Sequence, residues 1–168
     1  AASDVYKRQV LDTDFTLFMG DIVADGARAS DWHNWFDYGD AFISREPVYH
    51  CIGNHDEDNS PSGFDNFLGL YTLPGNEMYY SFNYGNVLFI CLNTEDPGNM
   101  EQYNWLLSTL EANKDQTWKI VFFHRPFYTA PSHTGEMDSF FSTWWKAFDD
   151  YGIDTVSYTH LRAHETKA

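Results

Sequence analysis

The chain has 168 residues, with 25 acidic against 10 basic side chains for a formal net charge of −15, and is 43% hydrophobic and 18% aromatic. That length holds one domain with a core and not two, and the apolar content argues against disorder. The acidity argues against a nucleic-acid partner, which needs a basic surface; it leaves a small phosphate-bearing ligand admissible, because bound cations supply local positive charge.

In chain order, residues 15–19 form a short apolar run ending at Gly20, a buried strand. Ser30 is placed to cap a helix carrying Trp32, Trp35, Phe36 and Phe42. Pro47 opens a second strand over 48–52 that stops at Gly53. A polar loop follows over 56–63, and residues 64–71 read as a short helix. Residues 79–84 and 87–93 are two strands joined by a Gly85-Asn86 turn. Residues 101–113 form a helix with Trp105, Leu106 and Leu110 on one side. Residues 118–123 form another apolar strand, stopped by His124-Arg125-Pro126. Phe141, Trp144, Trp145, Phe148 and Tyr151 recur at helical spacing over 138–151. Gly152 ends that helix, and 153–156 begin one more strand.

This alternation predicts an α/β fold or mixed α+β sandwich. In such sheets ligands bind at loops beyond the carboxyl ends of strands. Three polar clusters sit at such ends: Asp21, Asn54-His55-Asp56, and His124. The two cysteines, Cys51 and Cys91, lie in apolar runs and read as small buried thiols rather than a disulfide. No run reaches the ~18 apolar residues of a membrane span, so no membrane partner is expected. No secretory leader is read at the amino terminus, which itself reads as incomplete.

Residues 1–9 and 156–168 differ from the rest and hold four of the ten basic residues, Lys7, Arg8, Arg162 and Lys167. Both strings resemble adapter-derived translations at the ends of open reading frames, so they are expected to be non-native, leaving 10–155 as the domain. On that reading the i, i+4 pair His160 and His164 carries no metal.

Each cluster has a chemical and a bland reading. The Asp21 carboxylate has two oxygens and is able to bridge two cations, yet an isolated Asp after a strand also serves as a turn or helix cap. In Gly53-Asn54-His55-Asp56, Asn54 offers a neutral carbonyl oxygen as a ligand and His55 a proton or hydrogen bond to a phosphoryl oxygen. Asp56 would orient His55 and raise its basicity. The bland reading is a polar turn. His124 is a strand-end imidazole suited to zinc, iron or manganese, or a histidine satisfied at the core edge.

The order Gly-Asp, then Gly-Asn-His-Asp, then an apolar strand ending in His resembles the calcineurin-like metallophosphoesterase superfamily. The stretch from Gly20 through Gly26, Tyr79-Tyr80-Ser81-Phe82 with Gly85-Asn86-Val87, Gln102-Tyr103-Asn104-Trp105-Leu106, and His124-Arg125-Pro126-Phe127-Tyr128 resemble its purple-acid-phosphatase-like branch. The resemblance implies a four-layer α/β/β/α domain that hydrolyses phosphate esters of small molecules with two metal ions, zinc, manganese or iron. It implies Asp21 as the bridging carboxylate, Asn54 and His124 as ligands of the second metal, and His55 with Asp56 as catalytic residues. His133 and Arg125 are implied on the substrate side. A secreted or periplasmic location is favoured by the resemblance alone.

Departures matter too. Purple acid phosphatases carry a metal-ligating tyrosine where this chain has Ala24, so no tyrosinate–iron colour is expected. The family's first motif, expected before Val10, and its final Gly-His-x-His motif, expected after residues 153–155, are not found. The expectation is a chain holding at most one metal weakly and impaired in activity, taken from an intact enzyme. In that enzyme two cations ~3.5–4 Å apart would clamp the phosphoryl group and acidify an attacking water. The competing expectation is a noncatalytic carbohydrate- or protein-binding module, prompted by six Trp and eleven Tyr. Periodicity assigns most of these aromatics to the core first.

Overall fold

The computed structural model describes residues 13–57, 60–126 and 138–159, the side chains of 138–142 excepted. Strand β1 (Thr16–Met19) pairs in parallel with β2 (Val48–Cys51), Thr16 opposite Val48 and Met19 opposite Cys51. Between them runs α1 (Ala29–Ile43). Its cap is Arg28 rather than the expected Ser30. Arg28 is extended (φ −95°, ψ 105°) and makes no side-chain cap bond. The first turn is closed instead by the Asp31 N–H donating to the Arg28 carbonyl at 3.0 Å. The Arg28 guanidinium, bridging Asp25 at 2.8 Å and Asp31 at 3.7 Å, reinforces it.

After β2 the chain makes one helical turn, α2 (Asn54–Glu57), where a loop was expected to begin. Helix α3 (Pro61–Leu70) follows. It starts three residues before the expected 64 because Ser60 caps it, accepting the Gly63 N–H at 3.2 Å, with Pro61 in the first turn. Strands β3 (Tyr80–Tyr84) and β4 (Val87–Cys91) form an antiparallel hairpin with Tyr84 opposite Val87. The turn between them needs the left-handed backbone that Gly85 supplies (φ +58°). Helix α4 (Met100–Ala112) is capped by Asn99, whose side chain accepts the N–H groups of Glu101 and Gln102. Strand β5 (Trp118–Phe122), helix α5 (Asp138–Tyr151) and strand β6 (Thr155–Ser157) complete the order. The second sheet runs β3-β4-β5-β6, with β4, β5 and β6 parallel.

Strand side chains alternate, so each strand feeds two layers. From β4 and the residue after it, Leu88, Ile90 and Leu92 point to α4 and α5, meeting Leu106, Leu110, Trp144 and Phe148. Phe89 and Cys91 point the other way, into a cluster with Cys51, Ile52, Trp32 and Phe67. In the small sheet, Phe15 and Tyr49 face the large sheet. Tyr49 stacks on Phe82 at 3.9 Å between ring centres and Phe15 meets Phe89 edge-on at 5.3 Å. Phe18 and His50 face α1, contacting Trp35. The result is the expected α/β sandwich: α4 and α5, the four-stranded sheet, the two-stranded sheet, then α1 and α3. The large sheet continues across the 155/156 boundary, since Val121 pairs with Val156 and Phe122 with Ser157. No helix among the described residues is long and apolar enough to cross a membrane.

Candidate metal centre

Three strand ends converge. β1 closes with Gly20 (φ +79°) and Asp21 (φ +52°), two left-handed residues that reverse the chain sharply. Asp is among the few side chains that tolerate this backbone. Position 20 must be glycine for a second reason, because a Cβ there would sit 2.6 Å from His124 Nδ1. A Cβ at Gly53, just past β2, would fall 2.5 Å from Asp21 Oδ1. The two turns and the histidine are thus packed backbone against side chain.

His124 Nε2 lies 3.2 Å from Asp21 Oδ1 and 3.2 Å from Asn54 Oδ1. Its other nitrogen, Nδ1, is 2.8 Å from the Met19 carbonyl. A proton on Nδ1 donates to that carbonyl and turns the Nε2 lone pair toward the two oxygens. Three lone-pair donors around one point repel unless a proton or a cation sits among them. With a proton, His124 and Asp21 form an ion pair. Burial works against both charges, but their mutual hydrogen bond outweighs it, holding the Asp21 carboxyl low and, with the Met19 carbonyl, the imidazole high. With a cation, the same atoms are a carboxylate, an amide oxygen and an imidazole, a mixed donor set suited to zinc, manganese or iron. The Met19 carbonyl is the outer partner that fixes the ring's tautomer. The donor chemistry therefore fits one cation. Among the described residues no group of three or more His, Cys, Asp or Glu side chains could hold a metal; the third donor here is the Asn54 amide.

The other expected site residues are placed as follows. Asp56 is fully buried, and its carboxylate accepts the N–H groups of Ile22 (2.7 Å), Val23 (3.1 Å) and Gly53 (2.9 Å). It staples the Asp21 turn to the Asn54 turn, and burial pushes its carboxyl up to about 6. The His55 ring is oriented not by Asp56 but by the Ala24 carbonyl, 3.0 Å from Nδ1. The His55 backbone N–H donates to Asp21 Oδ1 at 3.1 Å, and the ring is exposed. Arg125 is taken up by Glu95: Nε is 2.8 Å and Nη2 is 2.7 Å from Oε2. His133, His160 and His164 lie outside the described residues.

Sequence reasoning did not single out Thr94 and Glu95. Thr94 Oγ1 accepts the Arg125 N–H at 3.0 Å, so both residues clamp the turn that presents His124. The available signal was position: Asn93-Thr94-Glu95 is a polar triplet at the end of an apolar strand, like the other three clusters. Buried Gln102 holds that triplet, accepting the Asn93 N–H at 2.7 Å and donating to the Asn93 carbonyl at 3.1 Å. A cavity of about 510 Å³ opens beside it, with Glu57, Phe64, Met78, Tyr79 and Glu95 in its wall.

The fold and this convergence define a metallophosphoesterase domain. Residues 3–165 match the Metallophos family, calcineurin-like phosphoesterase, and the chain belongs to that family. It is similar to two Arabidopsis thaliana proteins. These are purple acid phosphatase 15 (27% identity over 148 residues, 80% of this chain and 28% of that protein) and purple acid phosphatase 23 (27% over 147 residues, 80% and 32%). The chain thus spans a third or less of these relatives. Among solved structures, the purple acid phosphatase PPD1 from yellow lupin seeds superposes with a TM-score of 0.80 at 19% identity, covering 95% of this chain and 32% of that one. A dimetal phosphatase from Danio rerio gives 0.58 at 17%, covering 95% and 69%. At these identities the structural likeness shows the fold alone.

Proposed function

We propose that the protein to which this chain belongs hydrolyses phosphate esters of small molecules in a metal-dependent reaction. The observation that supports this most is the meeting of Asp21, Asn54 and His124 at 3.2 Å across two sheets. Asp21, Asn54 and His124 would hold one cation, and Asp21 would also serve a second. Bound cations would supply Lewis-acid polarisation of the phosphoryl group and positive charge for its oxygens. His55 stands at the exposed rim with Nδ1 held by Ala24, so its Nε2 is the nitrogen offered to a phosphoryl oxygen. His133 is proposed on the substrate side. Arg125, already forked on Glu95, is proposed to act on the substrate's side of the site chiefly by fixing the turn beside His124. No serine nucleophile is invoked, since the chain has no Gly-x-Ser-x-Gly elbow.

For a second cation, Asp21 is the one ligand proposed among the described residues; the 168-residue chain by itself is proposed to bind at most one cation weakly and to turn over slowly or not at all. The test is hydrolysis of a generic aryl phosphate by the intact parent with zinc or manganese, and by its Asn54→Ala and His55→Ala variants. Metal-independent or mutation-insensitive hydrolysis would refute the reading. Core packing weighs against the binding-module alternative for the aromatics it covers: Trp32 and Trp144 are buried and packed on Phe67 and Phe123.

A further inference from the structure

Two thiols that the proposed site does not use meet beneath it. Cys51 ends β2 and Cys91 ends β4, so they belong to opposite sheets of the sandwich. Both are free, both are buried, and both lie in the same core cluster. Cys91 Sγ is 3.6 Å from the His50 carbonyl oxygen, which belongs to the peptide leading directly into Cys51. Tyr80, opposite Cys91 in the hairpin, donates its hydroxyl to the same carbonyl at 2.7 Å. That bond sets the spacing of the sheets at this point. Burial first, and then the neighbouring Cys91 thiol, push the Cys51 thiol well above the usual range. Cys51 shares its face of β2 with Tyr49, which stacks on Phe82 of the large sheet, and Cys91 shares its face of β4 with Phe89, so both thiols lie between the sheets, the side on which a disulfide would have to close.

We propose that Cys51 and Cys91 form a latent intramolecular disulfide that joins the two sheets directly beneath the Gly53-Asn54 turn, closed by exchange with a small-molecule disulfide such as oxidised glutathione. One cysteine thiolate attacks the small-molecule disulfide, forming a mixed disulfide and releasing one glutathione thiolate. The second cysteine thiolate then attacks the protein sulfur of that mixed disulfide and releases the other. Two protein thiols are oxidised to one disulfide, one glutathione disulfide is reduced to two thiols, and the two cysteine protons end on them. Burial and the raised Cys51 thiol keep thiolate scarce once the sandwich is closed, so the bond forms as the sheets come together or when they part locally. An oxidising environment favours it and a reducing one leaves both thiols free.

The test uses the full chain, reduced and then equilibrated with oxidised glutathione, acid-quenched, alkylated and cleaved with cyanogen bromide. Met78 lies between the cysteines, so the fragments 20–78 and 79–100 carry one each. The expected result is a monomeric chain with no titratable thiol, whose two fragments stay joined until reductant is added. The oxidised chain should also unfold at higher denaturant concentration than the reduced one. C51S and C91S should each keep one thiol and give no joined fragments. Fragments that separate without reductant, glutathione retained on either cysteine, a bond between two chains, or an oxidised chain less stable than the reduced one would each overturn the proposal.

Discussion

Glu95 and Arg125 hold each other at 2.7 Å, with the Glu95 side chain 5% exposed and that of Arg125 23%. The pair joins the end of β4 to the turn after β5, next to the imidazole that completes the candidate metal centre. Glu95→Ala would remove the carboxylate that this half-buried guanidinium forks onto, at a cost of about 1–3 kcal/mol. Chemical denaturation should show that loss, and cation affinity should fall with it. A Glu95→Ala chain as stable as the parent would show that Thr94 suffices to hold the turn.

Removing a cation donor should act on binding far more than on folding. Asn54→Ala takes away the amide oxygen 3.2 Å from His124 Nε2 and should weaken zinc or manganese binding by at least ~10-fold. Calorimetric titration of the chain checks this. An unchanged isotherm would remove Asn54 from the donor set.

Gly20→Ala tests the packing argument. The new methyl would enter a left-handed backbone and press on the His124 ring. The backbone strain alone should destabilise the chain by about 1–3 kcal/mol, and the displaced ring should also weaken cation binding. Gly85→Ala has the same backbone strain but open space around it, so it should lose stability and keep its affinity.

His50 should make the fold acid-sensitive. It is buried between Phe18 and Tyr71, its Nδ1 has no hydrogen-bond partner, and burial lowers its pKa from 6.5 to about 3. The unfolded chain therefore binds this proton more readily than the folded one between pH 6.5 and 3. Its contribution is intact above pH 6.5 and declines as pH falls, by up to about 1.4 kcal/mol per unit. His50→Phe should flatten that part of the stability profile measured by urea unfolding. Parallel profiles for the two proteins would contradict the assignment.

The alternation of strands and helices was legible because burial on both faces leaves apolar runs such as Val87 to Leu92, and because Gly85 and Pro47 punctuate them. Helix starts were less so. Ser30 looks like a cap, but salt bridges from Arg28 begin the helix earlier, and local sequence does not announce a partner such as Asp25. The candidate donors were legible as strand-end polar residues, since type and position alone identify Asp21, Asn54 and His124. Their supports were not. The Asp56 carboxylate bonds backbone N–H groups of a turn more than thirty residues away, and the Met19 carbonyl that orients His124 is a backbone atom any residue would supply.

Asp21 and Asn54 descend from the small sheet and His124 from the large one, so no single layer contains the donor set. A slip of one sheet along the other by a single residue, ~3.3 Å, would carry the imidazole out of reach of both oxygens. In the proposed centre, cation affinity would therefore be a gauge of register. A titration that tightens or loosens under mild denaturant would report the sliding of the two halves before either has lost its own hydrogen bonds.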